Sequence, residues 1–169
     1  MTTLTMFCGL PGSGKSTHAR KLAAESGAVI ICRDDLRRMV AGTYDQYQKM
    51  VFASKDQKFT KKMEGLVSDM ATSCMALALH IGRPVIIDET NITPKRRAWW
   101  RSMAEIECPD VSVNVIWVKT PIEECIARRS KDTHKCDANW PAIIHNMNKA
   151  WQDPDIVKEH LNELKIIKG

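Results

Sequence analysis

The chain has 169 residues, 44% of them hydrophobic and 27% charged, with a net charge of +5. That length suits one domain over residues 1–169, and the composition is that of a globular chain able to bury a core. No apolar run approaches the ~20 residues of a membrane-spanning helix, and no basic, then apolar leader opens the chain, so the expected location is cytoplasmic.

The first expected strand is Leu4–Cys8. It runs into Gly9-Leu10-Pro11-Gly12-Ser13-Gly14-Lys15-Ser16-Thr17, which fits G-x-x-x-x-G-K-[ST] between a strand and a helix (Lys15–Glu25). Glycines let such a backbone curl so that its N–H groups point at phosphate oxygens, and the helix adds its positive end. Lys15 is expected to reach the β- and γ-phosphates and Ser16 to bind Mg²⁺, which implies ATP or another nucleoside triphosphate.

A second strand, Ala28–Cys32, leads into Arg33-Asp34-Asp35-Leu36-Arg37-Arg38. Phe59, Met63, Leu66, Met70, Cys74, Leu77 and Ile81 then recur every three or four residues, predicting a long helix with one buried stripe that stops at Gly82. The third strand, Val85–Asp88, ends in Asp88-Glu89-Thr90, where an acid beside a phosphate loop is placed to hold Mg²⁺; both Asp88 and Glu89 qualify. Helices are expected over Pro94–Ile106, Pro121–Ser130, Trp140–Trp151 and Asp155–Lys165, with a fourth strand over Val111–Lys119. Apolar strands alternating with helices predict an α/β fold, a parallel sheet with helices on both faces.

Arg128, Arg129 and Lys131 close the helix Pro121–Ser130 and form the best candidate for an arginine-bearing lid, since phosphoryl transfer depends on positive charge around the moving group. Further basic clusters, Lys61/Lys62 and Lys95/Arg96/Arg97, add to an anion-binding character. The six cysteines form no C-x-x-C pair or zinc spacing and read as reduced thiols, most of them packing residues. Trp99, Trp100, Trp140 and Trp151 sit at helical positions that favour the core over base stacking.

Taken together, "GLPGSGKST", "RDDLR", "FTKKMEGLV" (Phe59–Val67), "VIIDETNITPKRR" (Val85–Arg97) and "EECIARRSK" resemble the 5′-kinase domain of phage-type polynucleotide kinases, in order, over roughly residues 4–150. The resemblance implies a P-loop kinase fold and transfer of the ATP γ-phosphate to the 5′-OH of a single-stranded DNA or RNA end. It makes Asp34 the general base and Arg37 the grip on the neighbouring substrate phosphate. Thr90 matches a residue near the active site. ATP phosphates would be bound by Gly9, Pro11, Gly12, Ser13, Gly14, Lys15, Ser16, Thr17, Arg128, Arg129 and Lys131. The position of the family's principal lid arginine holds Asp132, which leaves Arg128 or Arg129 to carry the transition-state charge. "DPDIV" (Asp153–Val157) has the letters of the family's phosphatase motif but no strand before it, so no 3′-phosphatase activity is expected. A small-molecule kinase for a nucleoside, sugar acid or antibiotic would share the loop, acid and lid, and Arg37 discriminates against it. An ATP-gated nucleic-acid binder would not need Lys15, Asp34 and the lid cluster together.

Overall fold

The computed structural model describes residues 2–131 and 138–169. Its five strands are β1 (Thr3–Cys8), β2 (Val29–Ile31), β3 (Val85–Asp88), β4 (Ser112–Lys119) and β5 (Glu163–Lys168). They form one sheet in the order β2-β3-β1-β4-β5, every pair parallel. Helices α1 (Lys15–Ser26), α2 (Arg33–Ala41), α3 (Tyr44–Tyr47), α4 (Gln57–His80), α5 (Pro94–Glu107), α6 (Ile122–Ser130) and α7 (Trp140–Lys149) complete it, with a π-helical turn at Gln48–Phe52.

The central strands are apolar on both sides because both sides are covered. Leu4, Met6, Val85 and Ile87 pack with Ala71, Met75 and Leu79 of α4 and Trp100 and Ala104 of α5. The intervening Phe7 and Ile86 face the other way, onto Ala19 and Leu22 of α1. Parallel pairing sends the carboxyl ends of β1, β2 and β3 to one edge, so the phosphate loop, α2 and the Asp88–Thr90 segment emerge side by side.

Three expectations are corrected. The segment Asp155–Lys165 is not a helix. It turns at Ile156–His160 and enters β5, whose backbone pairs with the open edge of β4; the spacing of Leu161 and Leu164 reads as helical only while that edge is ignored. The buried stripe of α4 departs from the expected one after Met63. It runs through Val67, Ala71, Met75, Ala78 and Leu79, leaving Leu66, Cys74, Leu77 and Ile81 exposed. Small Ala71 and Ala78 allow close approach to the sheet, which hydrophobicity alone does not reveal. Cys32 lies beyond β2, as the residue preceding α2. The described cysteines are all free; Cys136 and Asp132 lie outside the described residues.

Trp100 is fully buried and Trp140 nearly so, in keeping with core positions. Asp153-Pro154-Asp155 falls in the irregular chain after α7 rather than at a strand end. Among the described residues no helix is long and apolar enough to cross a membrane.

Candidate active site

The loop after β1 reaches α1 with Gly14 in a left-handed conformation (φ 96°). No side chain caps the first turn of α1 and no acid lies in it, so its N–H groups and positive end are left for an anion. The Lys15 side chain folds back and donates to the Leu10 carbonyl at 2.8 Å. Burial pushes its pKa down from 10.5 to about 8, against the attraction of Asp88 and with added repulsion from Arg129. A buried ammonium held by one loop carbonyl is poised to exchange that carbonyl for phosphate oxygens.

Gly12 packs directly beneath α6. A Cβ on Gly12 would stand 2.4 Å from the Cys125 carbonyl oxygen, and its φ of +84° already disfavours any side chain. This contact places the last turn of α6 over the phosphate loop. Arg128 there pairs with Glu124 and points one N–H at the Gly12 carbonyl (3.4 Å), while Arg129 lies under the ring of Trp140, 4.6 Å from its centroid.

A cleft of about 570 Å³ opens at this edge of the sheet. It gathers Pro11, Gly12, Gly14, Lys15, Ser16, Thr17, Asp34, Arg37, Asp88, Glu89, Thr90 and Arg129 of the residues singled out from the sequence. Gly9, Ser13, Arg128 and Lys131 do not line it. Ser13 is buried within the loop, Gly9 donates its N–H to the Thr90 carbonyl at 3.0 Å, and Lys131 is exposed at the end of α6.

Asp34 and Arg37 stand one turn apart on α2, with Nη1 of Arg37 donating to Oδ1 of Asp34 at 2.8 Å. Arg37 is gripped from behind by Glu64 of α4: Nε to Oε1 at 3.0 Å and Nη2 to Oε2 at 2.7 Å. Burial opposes the Arg37 charge, but the hydrogen bonds and charge of Glu64, then Asp34, outweigh it and raise its pKa above the ordinary value. Burial likewise opposes the Glu64 carboxylate, but Arg37 and the Tyr47 hydroxyl (2.9 Å) hold its pKa below the usual range. Arg33 joins Glu64 at 2.8 Å and approaches Glu89 at 3.8 Å. Asp35 and Arg38 form a second, more exposed pair on α2 and also line the cleft.

The two acids after β3 are separated by their partners. Glu89 receives Arg96 through both Nε (3.1 Å) and Nη2 (3.0 Å) and lies near the Trp100 indole N–H (3.4 Å). Asp88 is nearly buried and its carboxylate takes part in no hydrogen bond or ion pair among the described residues. The residues fit a magnesium ion. Asp88 and the Ser16 hydroxyl line one cleft and offer the hard oxygens that Mg²⁺ takes, one or two from protein and the rest from phosphate and water. Glu89 is committed to Arg96.

Sequence reasoning did not single out Glu64 or Tyr44. Glu64 had a signal, an acid between Met63 and Val67 on the buried side of an amphipathic helix. Tyr44, which lines the cleft within electrostatic reach of Asp34, had none, because its segment shows no helical or strand period.

A parallel sheet, an uncapped phosphate loop and an acid at the neighbouring strand end define a P-loop kinase fold. The chain belongs to the AAA domain family, matched over residues 4–146. It is 29% identical over 101 residues to a protein of Autographa californica nuclear polyhedrosis virus named "Putative bifunctional polynucleotide kinase/RNA ligase"; the match spans 60% of this chain and 14% of that relative's length. Among solved structures it is similar to Kti12 of Chaetomium thermophilum, in complex with ADP-AlF3 (TM-score 0.63, 18% identity, 98% of this chain and 88% of that one). It is also similar to the APS kinase CysC of Mycobacterium tuberculosis, in complex with AMPPNP and APS (TM-score 0.60, 18% identity, 98% and 88%).

Proposed function

We propose that the protein is an ATP-dependent polynucleotide 5′-hydroxyl kinase. The observation that carries this reading is the Asp34–Arg37 pair, an acid and a base 2.8 Å apart, lining the same cleft as Lys15. Phosphoryl transfer asks a protein for position and charge. Asp34 accepts the proton of the 5′-OH as that oxygen bonds to the γ-phosphorus and the bond to the β–γ bridging oxygen breaks, releasing ADP. Arg37, held by Glu64, offers its remaining N–H groups to the phosphate on the 3′ side of the first nucleotide. Lys15 and the basic end of α6 balance charge on the moving phosphoryl group. Mg²⁺, bound with the nucleotide by Ser16 and Asp88, would neutralise the β- and γ-phosphates. Thr90 lines the acceptor side.

The viral relative named as a polynucleotide kinase/RNA ligase supports the nucleic-acid acceptor. The likeness of fold to APS kinase keeps a small-molecule acceptor as the second reading. Labelled ATP incubated with 5′-OH DNA and RNA oligonucleotides separates them. The expected result is labelled 5′ ends; labelled small alcohols with unlabelled oligonucleotides would support the second reading.

A further inference from the structure

The end of α6 offers two adjacent arginines for the charge of the transition state, and their surroundings differ. Arg128 is turned to Glu124 and the Gly12 carbonyl and does not line the cleft. Arg129 lines it. It shares that cleft with Lys15 of the phosphate cradle and with Asp34 and Tyr44 on the acceptor side. The Arg129 guanidinium is carried on the face of Trp140, 4.6 Å from the ring centroid. Trp140 itself is fixed: it is only 9% exposed and packs with Leu10 of the phosphate loop, Cys125 of α6 and Ile144 of α7. A rigid aromatic face in contact with both the loop and α6 is a surface on which a guanidinium can be held flat.

We propose that Arg129, not Arg128, is the arginine that meets the transferring phosphoryl group, and that Trp140 is its positioning residue. This deepens the phosphoryl-transfer reading of the cleft and does not depend on which alcohol accepts the phosphate. The sequence places Asp132 where related kinases carry their principal lid arginine; the Arg129–Trp140 pair supplies a cation from α6 instead. The ring holds the guanidinium over the cleft before nucleotide arrives, so less side-chain freedom is lost when the transition state forms.

The test compares variants under single-turnover conditions. Arg129→Lys keeps the charge and loses the flat fork; it should lower kcat by about 10- to 100-fold, at least about tenfold more than Arg128→Lys, with the KM for ATP nearly unchanged. Trp140→Met should lower kcat about tenfold in the wild-type background and have little further effect on Arg129→Ala, whereas Trp140→Phe should restore most of the rate. A purely structural Trp140 would instead lower Tm and cost the same in both backgrounds. Equal or reversed losses for the two arginines, or equal Trp140→Met losses with and without Arg129, would overturn the proposal. The arginine comparison needs no change in the core and so decides the matter even if Trp140→Met folds poorly. The slow hydrolysis of ATP, with water as acceptor, should follow the same rank order, which separates failure of this proposal from failure of the nucleic-acid acceptor.

Discussion

Arg37 lies side-on against Glu64, Nε to Oε1 at 3.0 Å and Nη2 to Oε2 at 2.7 Å, while its third nitrogen holds Asp34 at 2.8 Å. The fork fixes the plane of the guanidinium, and the plane fixes where the free N–H groups point. The arginine proposed to bind a substrate phosphate is thus oriented by an acid from a different helix, twenty-seven positions along the chain.

Glu64→Gln keeps the shape and one acceptor but loses the charge. It should raise the KM for a nucleoside 3′-phosphate acceptor about tenfold and leave the KM for ATP within about twofold, by steady-state kinetics. Glu64→Ala also leaves Arg33 and Tyr47 without their shared partner, and should destabilise the fold by about 1–3 kcal/mol in a denaturant titration.

Asp34→Asn removes the base while keeping the hydrogen-bonding shape. Turnover should fall by about 10²- to 10⁴-fold, with ATP affinity held, as read by nucleotide titration. Near-normal turnover in a folded variant would remove Asp34 from the chemistry.

The neighbouring acids should separate by phenotype. Asp88→Asn should raise the Mg²⁺ concentration for half-maximal activity about tenfold. Glu89→Gln weakens the Arg96 fork, and should show chiefly as a Tm lowered by a few degrees.

Lys15 predicts a pH dependence with a defined sign. Its pKa in the fold, about 8, is below the unfolded 10.5, so the folded protein binds fewer protons between those values. The cost of burying the charge is present in full below pH 8 and relieved as pH rises toward 10.5, so this residue adds stability over that window. Nucleotide affinity should move the other way, weakening above pH 8 as the ammonium is lost. Lys15→Met should stabilise the nucleotide-free protein, abolish phosphoryl transfer and flatten both pH trends.

Gly12→Ala should couple loop and lid. The added methyl meets the Cys125 carbonyl at 2.4 Å, so α6 must shift or the loop must open. Loss of activity together with a Tm lowered by several degrees is expected, measured by calorimetry beside the transfer assay.

Most of the sheet was legible in the sequence because strands covered on both faces leave continuous apolar runs, as in Val85-Ile86-Ile87. β5 was not, since an edge strand with Lys165 and Lys168 needs only its pairing with β4 to form. The phosphate loop was legible because its glycines answer to a local backbone requirement. Glu64 and the Glu89–Arg96 fork were not, because they join distant segments, and one sequence carries no signal for which acid meets which base. Arg128 and Arg129 are neighbours in sequence; the fold tells them apart by turning Arg128 to Glu124 and setting Arg129 in the cleft against Trp140.

The central claim, that Asp34 and Arg37 form a template for a hydroxyl beside a phosphate, is tested most directly by one ratio. It is kcat/KM for a nucleoside 3′-phosphate over that for the plain nucleoside, measured in wild type and in Arg37→Ala. The account predicts a ratio of about 10² or more in wild type that falls toward unity in the variant. A wild-type ratio near one, or a large ratio that survives loss of Arg37, would contradict it.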